Sequence, residues 1–235
     1  MTCSFVIPVN NEEENIPLLL KELDSVIVKL PCKSEAVIVD DGSKDESRKL
    51  LIEGKKKYSW LRLVFLDKNH GQSAAFHAGF SQAKGEVIIT MDADLQNDPA
   101  DVLRLLEFYP EYDVVAGTRT NRHDSFIRFL SSKIGNGFRN ALTNETIADT
   151  GCSLKVFKAE YIKKVPLFNG MHRYYPTMCR IQGATIKEVP VSHRPRTKGR
   201  SHYGISNRML RGIFDVLAVR WMIKRTVIYS VERIL

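Results

Sequence analysis

Two acidic clusters combine residue types and spacing that could do chemistry. In Asp92-Ala-Asp94-Leu-Gln96, two carboxylates stand one residue apart, with a carboxamide two positions further on. In a loop leaving a strand, both carboxylates reach a single hard cation. Oxygen ligands of this kind suit Mg²⁺ or Mn²⁺, which keep waters and share their remaining positions with phosphate oxygens. The second cluster is Asp40-Asp41-Gly42-Ser43. Taken singly, each has a plainer explanation, because Asp-Gly-Ser and Asn97-Asp98-Pro99 are ordinary turn and N-cap sequences. Both nevertheless follow short apolar runs, Val37–Val39 and Val87–Ile89. In open α/β sheets ligands bind outside the carboxyl ends of the strands.

The elements that must hold these clusters are legible in the first half of the chain. Strands are expected at Cys3–Val9, Glu35–Val39, Leu61–Leu66, Glu86–Met91 and Asp113–Ala116, with helical patterns at about 12–30, 44–57, 72–84 and 99–108. Consecutive apolar residues within the strands imply cover on both faces. This alternation gives a doubly wound α/β fold with a mostly parallel sheet. Beyond residue 124 it loosens: a basic helical stretch over Ser125–Leu142, a loop and strand over Ile147–Phe157, helical segments near 159–164 and 172–182, and a strand at Thr185–Val191. His193–Gly204, basic and without apolar period, reads as a mobile surface loop.

At 235 residues the chain fits one large domain (1–204) with a C-terminal helical segment (205–235). With 43% hydrophobic and 26% charged residues it can bury a core. Cys3, Cys32, Cys152 and Cys179 are scattered and read as reduced, packed thiols. Met1–Val9 reads as a first strand rather than a leader. No run approaches the ~18 apolar residues of a membrane span. The whole net charge of +8 lies in residues 193–235, where ten Lys and Arg face Asp215 and Glu232. Such an asymmetric tail suits a polyanionic ligand or surface: phosphates, nucleic acid or anionic lipid.

Four motifs in order carry a resemblance. They are Phe5-Val-Ile-Pro-Val-Asn-Asn-Glu-Glu-Glu-Asn-Ile16, Val37-Ile-Val-Asp-Asp-Gly-Ser-Lys-Asp45, Asn69-His-Gly-Gln-Ser-Ala-Ala-Phe76 and Met91-Asp-Ala-Asp-Leu-Gln-Asn-Asp-Pro99. Together they resemble the family 2 glycosyltransferases, and within them the dolichol-phosphate mannose synthase and polyprenyl-phosphate glycosyltransferase group. The likeness runs on through Val114–Arg119, Asp149–Cys152 and His193–Tyr203. It implies a GT-A-like sheet with helices on both faces. The activity it implies is inverting transfer of a sugar from a GDP- or UDP-sugar to a polyprenyl phosphate, with Mg²⁺ or Mn²⁺, at the cytoplasmic face of a membrane.

Residue by residue, the resemblance puts Pro8, Glu12, Asp40 and Asp41 at the nucleotide, and Asp92, Asp94 and Gln96 at the metal. It puts Arg119, Arg128 and Ser132 at the acceptor's lipid phosphate, and Arg196 and Ser201 in a loop over the donor phosphates. Asp94 and Asp149 fall at the reacting centre. Physical chemistry supports Arg for phosphate, because its planar fork donates two parallel charge-assisted bonds. Asp149 is an orienting group, or a base if the acceptor is a hydroxyl of a saccharide or protein, or simply a turn former. A phosphomonoester, with a second pKa of about 6, needs positioning more than deprotonation. His172-Arg173 also matches a segment of the group, ranked below the acidic motifs. The chain departs from the family at Asn10, where Tyr or Phe is usual, and at Thr118, where Ser is commoner.

In the tail, Leu210, Ile213, Phe214, Leu217 and Trp221 recur at intervals of three or four. A basic amphipathic helix of this kind can lie on an anionic membrane surface. It can equally pack on the domain or on another copy or a membrane-protein partner. A nucleic-acid-binding module is disfavoured: no recognition motif or aromatic platform accompanies the charge, and the acidic clusters would be unexplained.

Overall fold

The computed structural model describes residues 1–119, 137, 140, 142, 143, 147–195 and 206–228. Arg128, Ser132, Arg196 and Ser201 lie outside them, as does most of the helix expected over 125–142. Among the described residues, seven strands form one sheet: β1 (Thr2–Val9), β2 (Lys33–Asp40), β3 (Leu61–Phe65), β4 (Val87–Thr90), β5 (Val114–Arg119), β6 (Lys155–Lys158) and β7 (Ile186–Val191), in the order β3-β2-β1-β4-β6-β5-β7. All neighbours are parallel except those of β6, which runs antiparallel between β4 and β5.

The consecutive apolar residues do serve two faces. Along β1, Phe5, Ile7 and Val9 enter one core and Val6 the other. In β2, Ala36 and Ile38 divide in the same way from Val37 and Val39. This is the two-residue period of a strand in a sheet covered on both sides. The first face packs α1 (Ile16–Ile27), α2 (Ser47–Lys57) and α4 (Asp101–Leu106); the second packs α3 (Gln72–Gln82) through Phe76 and Phe80. Helix α1 buries Ile16, Leu19, Leu20, Leu23, Val26 and Ile27, one stripe at helical spacing. It begins four residues later than expected, at Ile16. Residues 12–15 instead form a turn in which the Glu12 carbonyl accepts the Asn15 and Ile16 N–H groups.

The expected helix at 172–182 divides into a 3₁₀ turn (Met171–Arg173) and α6 (Tyr175–Arg180), with α5 (Ala159–Ile162) before them. Pro176 in the first turn of α6 has no N–H to give to a longer helix. The last helix, α7 (Ser206–Arg225), packs on the second core through Val216 and Val219. Of the stripe read from the sequence, Phe214, Leu217 and Trp221 face away from the domain, 70%, 48% and 63% exposed. No helix of the described residues is long and apolar enough to cross a membrane. All four cysteines are free, with the Cys3 and Cys32 sulfurs 3.3 Å apart.

Candidate active site

The sheet order reverses at β1, which has β2 on one side and β4 on the other, so the carboxyl ends of these strands border a crevice. Pro8 fits there for a local reason. Val6 offers its carbonyl to Met91 N–H on the β4 side, and Val9 offers its own to Asp41 N–H on the β2 side. Pro8, two residues beyond Val6, therefore points to the β4 side, past the last paired residue Thr90. Its missing N–H costs no ladder bond.

Asp40 and Asp41 close β2 and are both buried. Asp40 accepts from Ser43 N–H at 3.1 Å and from Arg48 Nε at 2.9 Å. Asp41 accepts from the backbone N–H groups of His70 and Gly71, at 2.7 and 2.8 Å. Gly42, at φ +65°, permits this close approach, since a Cβ there would collide with the Lys68–Asn69 backbone. The Asp41 carboxylate thus holds residues 70 and 71 against the end of β2, while the Asp40 carboxylate fixes the turn at Ser43 and the Arg48 side chain. Glu12 belongs to the same rim, its Oε2 accepting from Asn15 Nδ2 at 2.6 Å and its N–H donating to Ser47 Oγ.

The Asp-x-Asp segment leaves β4 in a tight turn with Leu95 at φ +62°. Asp94 Oδ1 accepts from Gln96 N–H at 3.2 Å. Asp92 Oδ1 accepts from Gln72 Nε2 at 2.7 Å, and Asp92 N–H donates to Ser153 Oγ. The antiparallel register that pairs Thr90 with Lys155 sets Ser153 opposite Asp92. Burial, then the neighbouring Asp94 charge, pushes the Asp92 carboxyl up to about 6, against the pull of Ser153, Lys155 and Gln72. Two carboxylates and an amide are too few for a closed cage, and no group of three or more His, Cys, Asp and Glu forms one among the described residues. The set fits a cation that completes its shell with phosphate and water. Cation affinity is therefore expected to fall about tenfold per pH unit below about 6, as protons compete for Asp92. The metal-free fold loses stability as pH rises from about 4 to about 6, since the raised carboxyl must ionise in place. Mn²⁺ titration at pH 5 and pH 7.5, with parallel thermal melts, checks both.

Arg119 and Asp149, thirty residues apart, form a fork. Arg119 Nε and Nη2 reach the two Asp149 oxygens at 2.7 and 2.8 Å. The Arg119 and Gly151 N–H groups add bonds at 3.2 Å to the same carboxylate. Both oxygens of Asp149 are thereby engaged by the Arg119 guanidinium and by backbone N–H groups. Lys155, fully buried on β6, donates to the carbonyls of Thr150 and Cys152, and burial lowers its pKa.

Four contributors were not singled out in the sequence: Gln72, Ser153, Lys155 and Arg194. Gln72 stood within a motif named above, whereas the other three are fixed only by long-range pairing. Arg194 corrects the expectation of a mobile loop starting at 193. Its Nη1 binds both Glu22 oxygens at 2.8 and 2.9 Å, its Nη2 binds Asp98 at 2.6 Å, and its N–H donates to the Gln96 carbonyl. The chain after β7 is so stapled to the turn carrying Asp94 and Gln96. Arg194→Ala is expected to cost about 1 kcal/mol of stability. It should weaken Mn²⁺ binding by about tenfold or more, as loss of an outer-shell support does, and Arg194→Lys should recover part. Calorimetric titration of both variants checks this.

A mixed sheet of this order, with an Asp-x-Asp turn at the reversal point, defines a GT-A-like α/β protein. Residues 4–165 match the family model "Glycosyl transferase family 2". The chain is 37% identical over 230 residues to the dodecaprenyl-phosphate galacturonate synthase of Rhizobium johnstonii, covering 94% of this chain and 67% of that protein. It is 36% identical over 216 residues to the undecaprenyl-phosphate 4-deoxy-4-formamido-L-arabinose transferase of Klebsiella pneumoniae, covering 91% and 66%. The chain thus spans about two thirds of the length of these relatives. Among solved structures, the glucosyl-3-phosphoglycerate synthase of Mycobacterium tuberculosis, crystallised with Mn²⁺, UDP-glucose and phosphoglyceric acid, shares the fold. It superposes with a TM-score of 0.72 at 17% identity, over 94% of this chain and 79% of that one. The chain belongs to glycosyl transferase family 2.

Proposed function

We propose that the protein transfers a sugar from a UDP- or GDP-sugar to a polyprenyl phosphate at the cytoplasmic face of a membrane, inverting the anomeric centre. The observation that carries this reading is the Asp92–Asp94 turn at the sheet reversal, beside the nucleotide-side rim of Pro8, Glu12, Asp40 and Asp41, in a chain whose relatives bear polyprenyl-phosphate names. A phosphate oxygen of the acceptor attacks C1 of the sugar as the bond from C1 to the donor diphosphate breaks. The nucleoside diphosphate leaves with that electron pair. Asp92, Asp94 and Gln96 would hold Mg²⁺ or Mn²⁺, which when bound neutralises charge on the leaving diphosphate. Crystals of the structural relative contain Mn²⁺ with UDP-glucose.

Arg119 and Asp149 shape the acceptor side, and Arg128, Ser132, Arg196 and Ser201 complete the phosphate contacts in this reading. No proton needs removing from an acceptor already ionised near neutral pH. That agrees with an Asp149 whose oxygens are engaged, and it disfavours a hydroxyl acceptor. The exposed Phe214, Leu217 and Trp221, on a helix ending in Lys224 and Arg225, suit an anionic membrane surface.

Melting with UDP, GDP, CDP or dTDP, each with and without Mn²⁺, tests the donor side. One nucleotide should stabilise the protein only with metal, by about RT ln(1 + [L]/Kd); stabilisation by none of them counts against the reading. Vesicle sedimentation tests the membrane face: binding should require anionic lipid and fall with salt and with Trp221→Ala. Binding unaffected by either would remove α7 from that role.

A further inference from the structure

A cavity of about 200 Å³ opens beside Asp92. It is lined by Thr90, Asp92 and Lys155, by Thr150–Ser153, and by His172 and Arg173 of the 3₁₀ turn. The charged groups here differ in how they are balanced. The Asp92 carboxylate accepts from Gln72 Nε2, and Lys155 donates to two carbonyls. Arg173, half-buried, makes no side-chain hydrogen bond or ion pair with any described residue.

The backbone that presents Arg173 is nevertheless tightly held. Ser73 Oγ at the start of α3 accepts the Gly170 and His172 N–H groups, at 3.1 and 3.4 Å, and lies 2.8 Å from His172 Nδ1. Gly170 enters the turn at φ +91°, and Arg173 N–H donates to the Gly170 carbonyl. A pinned turn thus presents at the cavity a guanidinium with no hydrogen-bond or ion-pair partner among the described residues. The fork geometry of Arg favours bidentate binding of phosphate or carboxylate.

Gly151, which lines the cavity, also adjoins the Arg119–Asp149 pair: a Cβ on it would lie 2.8 Å from Arg119 Nη2, and its N–H donates to Asp149 Oδ1.

We propose that Arg173 binds an anionic group of the substrates in this cavity, either the phosphate of the acceptor or a carboxylate on the transferred sugar. The inference rests on the sugar-transfer reading and deepens it. Arg173→Gln should raise the KM of the affected substrate at least tenfold with little change in kcat. Arg173→Lys should recover part of the loss, since it keeps the charge without the fork. The melting temperature should not fall, because the side chain has no hydrogen-bond or ion-pair partner among the described residues; a purely structural residue would lower it.

The source of the anion is read from the kinetics. A higher KM for polyprenyl phosphate with every donor identifies the acceptor phosphate. A higher KM confined to uronate donors, with neutral-sugar donors unaffected, identifies the sugar carboxylate. If neither KM moves by more than twofold, or only that of neutral-sugar donors moves, the proposal is overturned.

Should the wild-type protein transfer no sugar, the transfer reading fails, and inorganic phosphate decides this one separately. Stabilisation of the wild type by phosphate that is lost in Arg173→Gln sustains it. An equal response of the two proteins, or none in either, overturns it.

Discussion

Asp94→Asn is expected to cut kcat/KM by about 10³-fold while leaving the fold intact or slightly more stable. The asparagine carbonyl can still accept the Gln96 N–H that Asp94 Oδ1 accepts now, so the turn keeps its shape. In the proposed function, what disappears is one of two negative charges offered to a cation, together with its share of the stabilisation of a leaving diphosphate. Removal of a single preorganised electrostatic contact costs about 10²–10³ in rate; here a weakened metal site adds to it. Stability moves the other way, because Asp94 is the charge that, after burial, raises the Asp92 carboxyl. Relief of that repulsion without loss of packing is the stability–activity trade-off of a functional site. Steady-state kinetics with and without Mn²⁺, beside thermal melts, separate the two effects. A variant that lost activity and stability together would make Asp94 a structural residue.

Asp149→Ala should be the most destabilising of the substitutions considered. It strands Arg119, only 16% exposed, with its main counter-charge gone. Breaking such a pair from one side costs about 3–5 kcal/mol. At about 2–4 °C per kcal/mol for a chain of this size, 3 kcal/mol alone lowers Tm by about 6–12 °C. Asp149→Asn fares little better, since its amide would point N–H groups at those of the guanidinium. A neutral double replacement, Arg119→Gln with Asp149→Asn, should recover much of the loss, and the double-mutant cycle measures the coupling. The catalytic expectation differs in kind. At a temperature where Asp149→Asn remains folded, residual transfer to a phosphate acceptor should keep the pH dependence of the wild type. Loss of the acidic limb of the pH–rate profile would instead make Asp149 a general base.

The parts of this architecture visible in the sequence are those set by local pattern. Val37–Val39 and Val87–Ile89 announce strands because both faces of the sheet are covered, and the acidic motifs follow them directly. The antiparallel entry of β6 was not visible, for its partners in β4 and β5 are chosen by long-range pairing that no short period encodes. Ser153 and Lys155 reach Asp92 only through that insertion. Arg194 looked like one of several charges in a loop; its distinction is that Glu22 and Asp98 converge on it from two other elements. In α7 the periodic stripe was legible, but not which side of the helix would dock. Val216 and Val219 fill the second core, which leaves Phe214, Leu217 and Trp221 outside.

Sugar transfer to a lipid phosphate is tested most directly by incubating the protein with undecaprenyl phosphate, Mn²⁺ and a panel of labelled UDP- and GDP-sugars, and following label into the organic phase. One donor class should label the lipid, metal chelation should stop the labelling, and Asp94→Asn should slow it by about 10³-fold. Label appearing only on a saccharide or protein hydroxyl, with none in the lipid under any donor, would contradict transfer to a lipid phosphate.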